Sequence, residues 1–508
     1  MFTIFRSITK SVGRAIAHDP EIRRYVEKYP RLARFLKKRL TPDERFGLYL
    51  TLGFSSALVF ILLFFKIVDA LAEQAVIVEM DVRILNLVQI FRSGGFNEVM
   101  LFTTYLGKGE IVTLGIALLS VLFVLINRRH YILAFIVSAG GGELFVLLTK
   151  HLTHRSRPPL GSALYAESGF SFPSGHTFIA VAFYGLLTYV LMRRFRGKWK
   201  KLSILALGTF IVLAIGYSRI YLGVHWFSDV IGSYALGFAW VSIVITALEH
   251  RKRSRAEQEP PALIGGRNLA LIGGLLSVFW LASVIIYFRD HPLPAPAAKA
   301  AAQVVIVPEN GVIDALFSRL PRQSENLSGI PRQPINLVIV GTREKLSVAL
   351  GSAGWLPMDT LSLQTLGKAT DAVMWNESYP QAPGTPAFFD NRPNDFAFEQ
   401  PTSENTVRKR YHVHVWSTPF VTSDGRNVWV ANTHFDEGFK LTSALIVPSH
   451  VIDPAVDKVR DKVGRDLAAA GEIASSELFQ NVEPMLGQNE AGDSFFTDGK
   501  AYLIFLKK

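Results

Sequence analysis

Seven ionisable residues stand where a chain rich in apolar runs would be expected to carry none. Lys150, Arg155 and Arg157 follow one apolar run, His176 heads the next, Arg219 closes a third, and His225 and Asp229 lead into a fourth. Charged groups at the edge of a hydrocarbon layer are costly and are usually kept for function. In "SRIYLGVHWFSD" the imidazole of His225 and the carboxylate of Asp229 are four positions apart, a spacing that lets them meet on a helix. A carboxylate that accepts from one ring nitrogen fixes the tautomer and leaves the other nitrogen as a nucleophile. In "KHLTHRSRP", Lys150 and Arg157 are seven positions apart, about two helical turns if the helix continues, before Pro158 and Pro159 stop it. In "PSGH", Ser174 and Gly175 offer backbone N–H groups at a helix start, a site for an anion beside His176.

Ammonium and guanidinium groups joined by helix amides suit the three equatorial oxygens of a phosphoryl group in transfer. Two histidines allow the nucleophile and the general acid to be different residues. No cluster of carboxylates is placed to hold Mg²⁺, so the expectation is a metal-independent site without a cofactor.

The elements that must position these groups are membrane helices. Of the 508 residues, the first 290 or so hold seven apolar runs, at about 46–70, 111–127, 131–149, 175–192, 202–217, 229–248 and 268–288. Basic clusters in 1–45, 128–130, 193–201 and 251–255 alternate with them, which predicts a cytoplasmic N-terminus and puts the loops 72–110, 150–174 and 218–228 outside. The same count carries everything after the seventh run to the outer face; with no cysteine in the chain, the expectation is the periplasmic side of a bacterial inner membrane. The net charge of +12 then follows from topology and calls for no nucleic acid. Residues 1–45 carry twelve Arg/Lys against five Asp/Glu and lack a cleavable signal; with Ile22, Tyr25, Val26 and Tyr29 at helical spacing they suit an anionic membrane surface or a solvated basic helix. The absence of cysteine excludes disulfides and thiolate metal sites.

Taken together, "KHLTHRSRP", "PSGH" and "SRIYLGVHWFSD" resemble the three-part signature of the type-2 phosphatidic acid phosphatase superfamily, K-x6-R-P, P-S-G-H and S-R-x5-H-x3-D, over roughly residues 45–250. The resemblance implies that His225 attacks phosphorus, Asp229 orients it, and Lys150, Arg157, Arg219, Ser174 and the Gly175 amide hold phosphate oxygens. His176 would protonate the leaving oxygen and then assist water. Arg155 and His154 fall outside the signature and read as surface residues or as contacts to a substrate headgroup. The implied substrate is a lipid phosphate such as polyprenyl diphosphate. A phosphotransferase acting on a lipid such as lipid A would use the same groups, and a membrane-anchored binding protein with an envelope partner is the reading from another class.

Past a Pro/Ala-rich linker at 290–303, strand-like pieces at 335–341, 411–416, 427–435 and 501–506 mix with helical ones, an α+β pattern. "QPINLVIVGTREKLSVALGSAGW", "KRYHVHVW" and "HVIDPAVDKVRDKVGRDL" are similar to the LssY C-terminal domain, a likeness that transfers no activity. His412 and His414 share a strand face, and with His434, Asp436 and His450 they suit either a metal or ligand site or a structural cluster; Asp453 reads as a helix cap. The expected organisation is a basic segment (1–45), a membrane domain of six core helices (46–250), a loop, seventh span and linker (251–303), and a soluble α+β domain (304–508).

Overall fold

The computed structural model of the protein describes residues 19–40, 47–254, 261–294, 304–375, 377–402, 409–441, 448–489 and 492–508. Six of its helices are long and apolar enough to cross a membrane: Leu50–Ala72, His130–Thr153, Gly175–Arg194, Lys198–Tyr221, Phe227–Arg251 and Gly266–Asp290. Each overlaps one of the apolar runs. The run expected at 111–127 has a different form: the helices Gly94–Tyr105 and Gly109–Leu125 meet at a bend of 52°, and only together are they long and apolar enough for a span. With that pair counted once, the described residues hold seven candidate spans.

The stretch expected as an outer loop, 72–110, is itself helical, with Val76–Gln89 before Gly94–Tyr105. Glu79, Asp81, Arg83 and Asn86 interrupt the apolar residues of the first, and the second is only 12 residues long, so neither forms an unbroken apolar run. N-terminal to the bundle, two short helices, Pro20–Lys28 and Pro30–Leu40, leave Tyr25, Val26, Tyr29, Leu32 and Phe35 exposed.

The bundle packs inward on Val146, Phe178, Val181, Leu186 and Ile215, all fully or nearly fully buried. Its outer residues are equally apolar: Phe54, Leu62 and Phe65 on one span and Leu275, Val278 and Phe279 on another are exposed, which suits a hydrocarbon surround. Where every solvent is apolar, close contact and buried hydrogen bonds hold helices together. A Cβ on Gly53 would lie 1.9 Å from Thr246 Oγ1, and one step along the same contact Ser56 and Ser242 hydroxyls are 3.1 Å apart. Two spans carry π turns, Val137–Gly141 and Val181–Gly185, which face each other: Ser138 Oγ donates to Ala182 O at 2.8 Å, and Trp240 Nε1 donates to Ser138 O at 3.0 Å. Such turns widen a helix locally and recur beside functional sites.

The C-terminal region is an α+β domain built on a mixed nine-stranded sheet. Its main path runs Ile473–Gln480, Lys500–Leu506, Leu337–Gly341, Asn427–Leu441, Arg410–Thr422, Phe396–Pro401, Leu356–Pro357. Lys500–Leu506 lies parallel to Leu337–Gly341, while the long pair Arg410–Thr422 and Asn427–Leu441 is antiparallel. All four expected strands are present. The helices Arg343–Ser352 and Asp457–Ala469 cover one face around Trp355, Leu346 and Val463. Asp453 is not the cap of the second helix, which begins at Asp457; its carboxylate instead accepts from the Ala455 N–H at 2.7 Å, a local turn that competes with helix.

The two regions touch through the helix Val76–Gln89. Arg83 donates to Glu325 at 2.7 Å, and Asn86 donates to the Asn391 carbonyl at 2.8 Å.

Candidate active site

The polar groups converge at one end of the bundle, where the spans His130–Thr153 and Lys198–Tyr221 finish and Gly175–Arg194 and Phe227–Arg251 start. The helix that carries Lys150 ends at Thr153, with His154 left-handed at its end (φ 47°), so Lys150 and Arg157 are not joined by continuing turns. Arg157 instead lies in the loop that folds back over the bundle. Lys150 Nζ donates to Phe170 O at 2.8 Å, which ties the span to that loop.

His225 sits in the turn just before its helix, which begins at Phe227, and Asp229 lies in the helix's first turn. The expected pair therefore forms, though not along a helix: His225 Nδ1 is 3.2 Å from Asp229 Oδ2. The same oxygen accepts the Trp226 N–H at 2.9 Å. On the other side of the ring, Arg157 Nη1 lies 3.2 Å from His225 Nε2. A guanidinium can only donate. Nε2 must therefore accept, which places the ring proton on Nδ1 toward Asp229 and turns the Nε2 lone pair toward the cations. Burial pushes His225 down to about 4, against the opposing pull of Asp229, so the ring is neutral at ordinary pH.

Asp229 is itself held. Arg155 Nη1 reaches Asp229 Oδ1 and Ser228 Oγ at 2.6 Å each, and Arg155 Nη2 reaches Asp81 Oδ2 at 2.6 Å. Asp81 also accepts the Ser228 N–H at 2.8 Å and its hydroxyl at 2.5 Å. Arg155 is thus neither a surface residue nor placed for a headgroup, and its side chain is only 15% exposed. His154 remains exposed, in contact with the Phe170 ring. Asp81 escaped the sequence reading; its signal was an acid among the apolar residues of an amphipathic helix.

The remaining cations meet a carboxylate that the sequence reading also passed over. Arg219 is fully buried and bonds Thr104 Oγ1 at 2.8 Å, the Tyr165 hydroxyl at 2.6 Å and the Glu167 carboxylate. Arg157 Nη2 reaches the other oxygen of Glu167 at 3.3 Å. Burial alone would raise Glu167, but Arg219 above all, with Arg157, holds it well below the usual carboxylate range. An ionised carboxylate thus lies across the two guanidinium groups expected to bind phosphate.

Gly175 is the first helical residue after Ser174, whose buried hydroxyl accepts from Thr177 Oγ1 at 3.1 Å. Gly175, His176, Lys150 and Glu167 line one cavity of about 480 Å³, with Lys108 and Glu143 also in its wall. His225 is not part of that wall; it adjoins through Arg157, and Arg157 through Glu167. Lys108 is a cation the sequence reading did not list; it sits at the break between the two bent helices.

Comparison with known proteins bears on this architecture. The family model described as the PAP2 superfamily matches residues 131–253, and the one described as the LssY C-terminus matches 317–501. Phosphatidylglycerophosphatase B of Bacillus subtilis (strain 168) is 31% identical over 199 residues, 39% of this chain and 97% of that protein. An undecaprenyl-diphosphatase of Sulfolobus acidocaldarius is 26% identical over 176 residues, 33% of this chain and 78% of that one. Among solved structures, a transmembrane PAP2-type phosphatidylglycerolphosphate phosphatase from Bacillus subtilis matches with 30% identity and a TM-score of 0.36, over 39% of this chain and 99% of that one. Aquifex aeolicus LpxE matches with 24% identity and a TM-score of 0.26, over 32% of this chain and 92% of that one.

The helical bundle and these relatives define a multi-pass membrane phosphatase. The chain belongs to the PAP2 superfamily, and it carries an LssY-type C-terminal domain in the same polypeptide.

Proposed function

We propose that this chain hydrolyses a lipid phosphate or diphosphate, polyprenyl diphosphate or a related phospholipid, through a phosphohistidine on His225. The observation that carries the reading is the pair of contacts on that ring: Nδ1 to Asp229 at 3.2 Å and Nε2 to Arg157 at 3.2 Å. Nε2 attacks phosphorus as the bond to the lipid oxygen breaks, and His176 gives its proton to that oxygen. The Nε2–P bond forms while Asp229 takes up the positive charge on the ring. Water then attacks phosphorus with His176 as base, inorganic phosphate leaves, and His225 is restored. Arg157, Arg219, Lys150, Ser174 and the Gly175 amide receive the phosphoryl oxygens; Arg157 and Arg219 hold Glu167, and Lys150 and Gly175 line one cavity with it, so that carboxylate must yield to the substrate.

The chemistry runs without a metal. The three carboxylates nearest the His225 ring have other duties: Asp229 faces His225 and Arg155, Asp81 faces Arg155 and Ser228, and Glu167 faces two arginines. The phosphatase unit spans 46–250, behind a basic segment at 1–45 and followed by the linker region 251–303 and the domain 304–508. The alternating basic clusters favour an N-terminus in the cytoplasm of a bacterial cell. On that orientation the site and the C-terminal domain face the periplasm, at the inner membrane.

Purified wild type and His225→Ala are to be assayed for phosphate release from undecaprenyl diphosphate, phosphatidic acid, phosphatidylglycerol phosphate and lipid A. Release from at least one lipid by wild type alone, with no acceptor added, is the expected result. Strict dependence on an acceptor would replace the hydrolase with a phosphotransferase. Equal release by His225→Ala would overturn the assignment of the nucleophile.

A further inference from the structure

A second group of histidines, none of them among the phosphate-site residues, lies in the C-terminal sheet. His412 and His414 alternate onto one face of the strand Arg410–Thr422, and the register of the neighbouring strand sets His434 directly across from His412. The ring centroids are 5.4 Å apart for His412 and His434, 5.3 Å for His414 and His434, and 6.0 Å for His412 and His414. One ligating nitrogen from each ring lies within 4.8 Å of the other two. We propose that His412, His414 and His434 bind one divalent transition-metal ion of the zinc class, at a site distinct from the phosphatase centre.

Four observations support it. The first is geometric: a tetrahedral ion with Zn–N bonds of about 2.0–2.1 Å sets its ligand nitrogens roughly 3.4 Å apart. Side-chain rotation alone can draw three nitrogens inward from within 4.8 Å, since the strands already hold the Cα atoms in register. The rings are within 28° of parallel.

The second is the supporting carboxylate. Asp436, fully buried, lies 2.7 Å from His412 Nε2 and 3.5 Å from His434 Nε2. A carboxylate behind a ligating imidazole fixes its tautomer and raises its basicity.

The third is charge. Arg410, two positions before His412, is paired with Glu399. A divalent cation held by neutral imidazoles would add positive charge beside the buried carboxylate of Asp436. An all-imidazole donor set selects zinc, copper, nickel or cobalt over magnesium and calcium, which prefer oxygen.

The fourth is access. His414 forms part of the wall of a cavity of about 500 Å³ that also touches Met358, Asp359 and Asp395. Asn86 and Gln89, from the helix that joins the membrane bundle to this domain, close its other side. An ion on the three rings would keep a coordination position toward that cavity for water or an anionic ligand. His450, also named in the sequence reading, lies on the strand Pro448–Ile452, and its side chain is outside the described ones.

The test uses untagged full-length protein in detergent, loaded with Zn²⁺ or Co²⁺, desalted, and analysed for metal by mass spectrometry. Wild type is expected to retain about one ion per chain and to show the visible bands of nitrogen-ligated tetrahedral Co²⁺. His414→Ala and His434→Ala are expected to retain metal at least about tenfold more weakly. His414→Gln, which keeps a polar side chain, serves if the alanine variants unfold. Excess Mg²⁺ should not displace the ion. Folded wild type without Co²⁺ bands would overturn the proposal, and so would variants that bind as much metal as wild type. Neither result depends on phosphatase activity.

Discussion

Asp81 and Arg83 stand two positions apart on the helix Val76–Gln89 and bond in different directions: Asp81 to Arg155 and Ser228 beside the phosphatase site, Arg83 to Glu325 of the C-terminal domain. Residues two apart on a helix point about 200° from one another. One rigid element thus spans both regions, and its placement is felt at Asp229 through a single intervening guanidinium, that of Arg155.

The first prediction concerns that chain of contacts. Arg155→Ala leaves two buried carboxylates without their shared counter-ion, so the loss should include about 3–5 kcal/mol of stability. Asp81→Asn is gentler, and an outer partner of this kind should cost about 10–100-fold in kcat with KM little changed. Glu325→Ala should lower activity by less than Asp81→Asn, because it acts only through the helix position. Steady-state kinetics with thermal unfolding in detergent reads all three. Full activity in Asp81→Asn would remove Asp81 and Arg155 from the positioning of Asp229.

Glu167 supplies the second. Its carboxylate lies on Arg157 and Arg219, the groups proposed to bind phosphate, so substrate and Glu167 compete for the same guanidinium donors. Glu167→Gln keeps the shape and removes the charge. Vanadate or inorganic phosphate should then inhibit at a concentration about tenfold lower than for wild type, equal to roughly 1.4 kcal/mol. If the inhibition constant instead rises, Glu167 helps hold the anion site and is no competitor.

How much of this was legible beforehand varies by residue. His225 and Asp229 could be paired from their spacing because four positions bring side chains together both in a helix and in a turn leading into one. The spans were legible because an apolar run long enough to cross a membrane has few other uses. Arg155 was misread, since nothing in "HRSRP" distinguishes a guanidinium turned toward Asp229 from one turned to solvent; Asp81, its other partner, is 74 positions away in sequence. Glu167 was missed for the same reason, as its partner Arg219 is 52 positions distant. The bend between Gly94–Tyr105 and Gly109–Leu125 was hidden by the shortness of the first helix, and the late start at Asp457 by an Asp-Pro pair that resembles a helix entry.

The third prediction is a pH profile. Burial holds His225 near 4, well below the ordinary histidine value, and only the neutral ring can attack phosphorus. A depressed value means that lowering pH from 7 to 5 does not protonate Nε2. The acid limb of kcat/KM due to the nucleophile should therefore fall with an apparent pKa near 4, and phosphohistidine should still form at pH 5. An acid limb near 6.5 that persists in His176→Asn would show His225 titrating as an exposed histidine.

The last prediction tests the turn that joins two site residues. Gly223 lies between Arg219 and His225 with φ +75°, a conformation that side chains other than glycine rarely adopt. A Cβ there would sit 2.3 Å from the Ser162 carbonyl oxygen and 2.9 Å from Arg92 Nη2. Arg92 clasps this turn by donating to Ser162 O at 2.8 Å and to Tyr221 O at 2.7 Å, while the Leu164 N–H bonds Leu222 O at 2.9 Å. The loop that carries Tyr165 and Glu167 is therefore packed directly on the turn that delivers His225. In Gly223→Ala the backbone strain is about 1–3 kcal/mol, and the added carbon must push the loop and the turn apart. A displacement of about 1 Å at a reacting group can cost on the order of 100-fold in rate. Gly223→Ala should then lose phosphate release by about that factor while the helices remain assembled in detergent, and the loss should fall on phosphohistidine formation in a single turnover. Activity within twofold of wild type would mean that the turn tolerates the side chain and that His225 is positioned by Asp229 and Arg157 alone.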